Sequence, residues 1–346
     1  MNLWNSLKKP IIGLAPMDGI TDEPMRYIQA SVAKPDVMYT EFVNVEYVFY
    51  RPDQVLNNLI YSEIERPIVA QLSGHSPDLF YQLALIACFL KFDGIDINMG
   101  CPMTSVTRLG GGAKLIGNEK LSSEIVFSVQ KAINDYQNGV DLGKVVDQRV
   151  FQEAKRVANL PYIHHLLHAP YTLPISIKTR TGLLKPETEK WLNFLSDLPI
   201  QEITLHGRSF KEGYSGTADW EEIGKGARIA RKKEIIFLGN GDIKSRNQAT
   251  EYSKKFRTDG ALIARGALGN PWVFSETTPS YEERLLTMKN HAKKFYDLFG
   301  NESFVKMRKH FGWYPKGVTG AKELKVKLQE INTFEEFMKI YPLSGD

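Results

Sequence analysis

Two cysteines occur in 346 residues, and their surroundings differ sharply. Cys88 lies in the longest uninterrupted apolar run, Leu83 to Leu90, and is expected to be buried and inert. Cys101 stands in Asn98-Met99-Gly100-Cys101-Pro102, beside glycine and proline rather than aliphatic neighbours. A loop thiol of this kind is a candidate for catalysis. Lys178 closes an apolar segment, where an unpaired ammonium would be costly. It needs an anionic partner: a bound phosphate, a reduced flavin ring, or a neighbouring carboxylate. Gly239-Asn240-Gly241 and Ala264-Arg265-Gly266, followed by Gly269, form two turns whose backbone N–H groups could approach a phosphate, with Arg265 adding charge. His164, His165 and His168 form a third cluster, but no acid or cysteine stands near them. They are expected to lie on a surface segment, and no metal centre is expected.

Eight short apolar, β-branched segments could position these residues: 11–15, 37–41, 68–72, 95–98, 175–178, 203–206, 235–238 and 261–264. They lack polar–apolar alternation, so they read as strands buried on both faces. Most starts are separated by about 26 to 32 residues, enough for one strand, one helix and two loops. Convincing helices fall between them, such as 76–91, with Ser76 as cap and Pro77 in the first turn. Eight strands alternating with helices predict a (β/α)8 TIM barrel, whose chemistry sits at the C-terminal strand ends. Seven of the eight ends carry polar residues there, among them Asp18, Gln71, Asn98, Arg180, His206 and Asp242.

One gap is longer. Between the fourth and fifth strands lies a helix near 118–135, then an insertion over 138–172 with its own helix at 148–158. Beyond Pro279 the strand pattern stops and helical patterns take over, at 281–299, 302–311, 319–330 and 333–341. Residues 1–279 are therefore expected to form a barrel domain and 280–346 a small all-α domain. Charge divides at the same point. Residues 280–346 carry 12 basic and 9 acidic residues, so +3 of the net +4 lies in the tail. A basic tail on a near-neutral body suits a polyanion or a solvated helical face.

Two cysteines exclude a disulfide scaffold and a four-cysteine zinc site. The longest apolar run, eight residues, is too short to span a membrane. With no leader pattern at the N-terminus, a soluble cytoplasmic monomer with no membrane or protein partner is expected.

Five motifs in order resemble those of the tRNA-dihydrouridine synthases: Ala15-Pro16-Met17-Asp18-Gly19-Ile20-Thr21-Asp22, Gly94 to Pro102, Ile177-Lys178-Thr179-Arg180-Thr181-Gly182, Leu205-His206-Gly207-Arg208 and Gly239-Asn240-Gly241-Asp242. The resemblance runs from about residue 10 to 275 and continues more loosely through Arg308-Lys309-His310-Phe311-Gly312-Trp313-Tyr314. It implies reduction of the C5=C6 bond of uridine in tRNA by FMN that NADPH has reduced. Hydride would reach C6, and Cys101 would protonate C5 as general acid, an effect typically worth about 10²–10⁴-fold. The resemblance also implies that Pro16, Met17 and Asp18 line the flavin and that Gln71 contacts its pyrimidine edge. Lys178 and His206 would bind the flavin, while Asn240, Gly241, Asp242, Ala264 and Arg265 would hold its phosphate end. Asn98 and Arg180 would meet a uracil flipped out of the RNA, and the basic, aromatic tail with Arg308 and Lys309 would hold the tRNA.

The insertion over 138–172 makes the stretch between Cys101 and Lys178 longer than the resemblance leads one to expect. Gly110-Gly111-Gly112 is expected to give a mobile lid. Two other readings compete: an FMN-dependent barrel oxidoreductase acting on a free pyrimidine or small enone, and a flavin-containing tRNA-binding chaperone. The tail argues against the first and Cys101 against the second.

Overall fold

The computed structural model describes residues 2–160, 173–315 and 320–340. Nine parallel strands occur in it: β1 (Ile11–Leu14), β2 (Met38–Tyr39), β3 (Val43–Asn44), β4 (Ile68–Ser73), β5 (Gly94–Met99), β6 (Ile175–Arg180), β7 (Glu202–His206), β8 (Ile236–Asn240) and β9 (Gly260–Ile263). The sheet closes because β1 pairs with both β9 and β2, and β2 with β4. β3 runs on from β2 along the same edge of β4, so nine segments fill eight positions of a (β/α)8 TIM barrel. The sequence pattern predicts one continuous strand over 37–41. It breaks because the Thr40 hydroxyl, rather than a backbone carbonyl, accepts the Gln71 N–H at 3.1 Å. Phe42 is thereby freed to line the cavity described below.

Every strand except β6 is buried along its whole length, as near-continuous apolar runs require. Trp4 plugs one end of the barrel interior among Ile11, Tyr39, Val69, Leu238 and Leu262. Register then sets two polar rungs across adjacent strands. One is Gln71, Asp96, Ser176 and Glu202, and the next is Asn98, Lys178 and Thr204. The helix Pro77–Phe89 packs on β4 and Glu119–Gln137 on β6, and Cys88 is buried in the first of them. The inserted helix forms at Gln148–Ala158, capped by Asp147. His164, His165 and His168 lie outside the described residues.

Past Pro279 the described elements are helical: Tyr281–Phe299, the 3-10 segment Asn301–Met307, Arg308–Phe311, Ala321–Glu330 and Phe334–Ile340. The first starts at a capping box in which Ser280 and Glu283 satisfy each other's backbone N–H groups. They enclose their own core of Phe295, Phe304, Phe311, Leu328 and Phe337, with Phe311 and Phe337 stacked at 4.8 Å. This region is docked against the barrel helix Glu23–Val32 by a 2.9 Å ion pair between Lys294 and the fully buried Glu23. Trp313 sits so close to Gly269 (φ 61°) that a Cβ there would lie 2.5 Å from its backbone. No helix among the described residues is long and apolar enough to cross a membrane.

Candidate active site

The C-terminal strand ends surround a cavity of about 520 Å³, within the range of cofactor sites. The loop after β1 supplies Pro16, Met17 and Asp18; β4 and β5 supply Gln71, Asn98 and, just beyond, Cys101. Lys178 and Arg180 come from β6, His206 from β7, Asn240, Gly241 and Asp242 from the end of β8, and Ala264 and Arg265 from the end of β9. All the candidate residues inside the barrel therefore line one space.

Cys101 is held by a chain of buried hydrogen bonds that starts in the polar rungs. Ser176 donates to Asp96 at 2.7 Å, and the Gln71 amide donates to the other oxygen of Asp96, also at 2.7 Å. The Asn98 amide donates to Gln71 Oε1 at 2.9 Å, and its own carbonyl oxygen accepts the N–H groups of Gly100 and Cys101. Asn98 thus turns the backbone at the thiol while leaving the second hydrogen of its amide for a ligand. From the other side Arg180 Nε donates to the Gly100 carbonyl at 2.7 Å. Its Nη1 donates to the Ser209 and Gly213 carbonyls and lies 3.3 Å from His206 Nδ1, so Arg180 ties the loops after β5 and β7 together. Burial, with the Asp18 carboxylate adding to it, keeps the Cys101 thiol above its usual range. It therefore holds its proton at neutral pH, as a proton donor must.

Lys178, half-buried in the cavity wall, differs from the buried cations of the barrel. No carboxylate among the described residues lies within ion-pair distance of its ammonium. Burial, then repulsion from Arg180, pushes it down to about 8. Burial, then Lys178 and Arg180, holds His206 well below its ordinary value, so it is a neutral imidazole beside cations. An anionic or electron-rich ligand would satisfy this corner.

At the phosphate-type turns Asp242 (φ 56°) accepts from Arg208 at 2.6 Å, Arg265 at 2.7 Å and the Ala218 N–H at 2.8 Å. It fixes the buried Arg208 and, at the cavity, Arg265, which also lies over Tyr214, 5.7 Å from the ring centroid.

Three features escaped sequence reading. Tyr214, 64% exposed and lining the cavity, is flanked by Arg180 and Arg265; its only signal was an aromatic between Gly213 and Gly216. Asp96 and Ser176 became visible as supports of Gln71 only through register. In the Gly110–Gly112 run, expected as a lid, Gly111 packs against the Gly74 backbone and Gly112 against Cys101. Gly112 has φ 57°, a Cβ on it would meet the Cys101 carbonyl at 2.8 Å, and Ala113 N–H donates to that carbonyl.

Arg308 and Lys309 stand outside the cavity. Arg308 donates to the Ile331 and Glu330 carbonyls and to Asn332, closing the helical region on itself. Lys309 reaches the barrel mouth, with its ammonium beside Gly19.

Residues 13–141 and 156–342 match the family model described as dihydrouridine synthase (Dus). A "Probable tRNA-dihydrouridine synthase" of Staphylococcus aureus (strain COL) is 30% identical over 345 residues, covering 97% of this chain and 93% of the relative. A "Probable tRNA-dihydrouridine synthase 2" of Bacillus subtilis (strain 168) is 28% identical, covering 97% of this chain and 94% of the relative. Among solved structures, morphinone reductase in complex with tetrahydroNAD aligns at TM-score 0.43 and 11% identity, covering 81% of this chain and 91% of the other.

Proposed function

Because this chain belongs to the dihydrouridine synthase family, we propose that it reduces the C5=C6 bond of uridines in tRNA to give 5,6-dihydrouridine, using FMN that NADPH reduces. The observation that carries this reading is one cavity lined by both a protonated, backbone-anchored thiol and a half-buried lysine with no carboxylate partner among the described residues. When bound, FMN supplies the hydride that uracil C6 receives. The chain's own residues do the rest.

Lys178 and the neutral His206 would face the ring, the lysine supplying the positive charge that an electron-rich cofactor calls for. Pro16, Met17 and Asp18 form the wall after β1, and Gln71, held by Asp96, presents its amide to the pyrimidine edge. Asn240, Gly241, Ala264 and Arg265 would hold the phosphate end, with Asp242 keeping the arginine in place. Asn98 offers its remaining N–H to a uracil carbonyl, and Arg180 frames the same entrance. Cys101 Sγ then donates its proton to C5, the carbon left electron-rich when C6 is reduced. A uridine must leave its stack to reach this depth, so the RNA has to be gripped elsewhere. In this reading residues 1–279 are the catalytic domain, and the basic region 280–346 provides that grip in the cytoplasm.

Mass spectrometry of tRNA from cells lacking the protein tests the proposal. A dihydrouridine absent from those cells and restored by the wild-type gene is the expected result. Unchanged dihydrouridine at every position, or purified protein that takes up no FMN, would overturn it.

A further inference from the structure

Away from the cavity, where the helical region meets the barrel, three ligand-type side chains converge. Asp22 is the N-cap of the Glu23–Val32 helix, His291 lies in the Tyr281–Phe299 helix, and His310 in Arg308–Phe311. One ring nitrogen of each histidine and a carboxylate oxygen of Asp22 all lie within 4.8 Å of one another. Both imidazoles are almost wholly buried, at 0% and 2% exposure, and the Nε2 atom of each lacks a hydrogen-bond partner among the described residues. Two buried imidazole nitrogens without partners, facing each other and a carboxylate, are an expensive arrangement.

The surroundings are those of a supported site. His291 Nδ1 is 3.0 Å from the Tyr314 hydroxyl, a contact that fixes the ring and leaves Nε2 free. His310 packs edge-on against both His291 and Trp313, which restricts its rotation. A cavity of about 10 Å³, the size of a single water, is lined by Gln29, His291, His310 and Tyr314. Gln29 donates its amide to the Ala33 and Pro271 carbonyls, and its Oε1 has no partner. A water completing a four-coordinate centre could donate to that oxygen.

Charge permits the arrangement. Lys309 adds positive potential at all three side chains, and Asp18 and Glu41 bring two further carboxylates beside Asp22 to offset it. Arg26 is already committed to Glu65, at 2.6 Å, and to backbone carbonyls.

We propose that Asp22, His291 and His310 bind a divalent transition-metal cation of the zinc type, which clamps the helical region to the barrel. Two imidazoles and one carboxylate are the donor set that zinc-type ions take, and they exclude calcium or magnesium, which need more oxygen ligands. The chain supplies one ligand from the barrel and two from the helical region. The ion therefore acts on their docking and has no part in the reduction chemistry.

The test uses the full chain, purified without a polyhistidine tag and stripped with chelator, and titrated with Co²⁺ and Zn²⁺. Wild-type protein is expected to develop the visible absorption of cobalt in a four-coordinate site. That signal saturates at a single equivalent and is lost when Zn²⁺ is added. Zn²⁺ is also expected to raise the thermal midpoint. His291→Gln and His310→Gln should each lose the cobalt absorption and the thermal shift while still binding FMN. Asp22→Asn, which preserves the helix cap, should weaken cobalt binding at least about tenfold. No cobalt absorption in the wild type, or binding that is unchanged in the histidine variants, overturns the proposal. Should a histidine variant fail to fold, zinc-edge X-ray absorption of the wild type decides. Two imidazole shells support the site, and a spectrum without them refutes it.

Discussion

At the scale of single residues, the site divides into groups that touch a ligand and groups that hold them still. Cys101→Ala removes the proton donor and leaves the cavity walls in place. Turnover on tRNA should fall by about 10²–10⁴-fold with FMN still bound, as stopped-flow assays with reduced enzyme can measure. Lys178 gives a pH signature. In the free protein its ammonium is charged below about pH 8 and neutral above, because burial and Arg180 depress it. A bound anion favours the charged form, so affinity for reduced FMN should weaken as pH rises through about 8. In Lys178→Met affinity should be weaker and flat across that range; anaerobic titrations at several pH values separate the two.

At the scale of elements, the glycine run beside Cys101 offers the sharpest prediction. Gly112→Ala places a Cβ against the Cys101 carbonyl in a left-handed backbone conformation. It should destabilise the fold by about 1–3 kcal/mol in urea titration and lower turnover more than FMN affinity. Much of this level was legible in the sequence. Strands buried on both faces leave apolar runs, and their regular spacing revealed the barrel and placed the chemistry at its C-terminal end. Cys101, Lys178, His206 and the turns at Asn240 and Arg265 were legible because polar residues at strand ends have no place in a core. Register was not legible. That Asp96 sits level with Gln71 and Ser176 depends on how β4, β5 and β6 align, which composition does not encode. The break between β2 and β3 was hidden for a related reason, since it rests on one hydroxyl replacing a carbonyl in the ladder. Tyr214 lies in a loop with no periodicity to read, and the seam histidines, though on helices, meet only through a contact between distant segments.

At the scale of the whole molecule, the tail's basic residues separate by role. Lys306, Lys322 and Lys327 are exposed, and replacing all three by alanine should weaken tRNA binding. It should also lower the slope of log affinity against log salt by up to about 2–3 units, with FMN reduction by NADPH unaffected. Filter binding across a salt series reads the first effect and flavin bleaching the second. Arg308 should behave differently. Its bonds to the Ile331 and Glu330 carbonyls make Arg308→Ala a stability variant, costing about 1–3 kcal/mol, seen in thermal melts before it is seen in RNA affinity.

The close fit of Gly269 under Trp313 bears on how such a protein can be taken apart and recombined. A chimera joined in the linker before residue 280 would pair a barrel from one parent with helices from another, and any side chain at position 269 would strike the backbone of the incoming residue 313. Glycine at 269 and the loop carrying Trp313 therefore have to be inherited together, although 44 positions separate them. The natural unit of exchange is the matched pair of surfaces, and a cut in the linker before residue 280 separates its two halves.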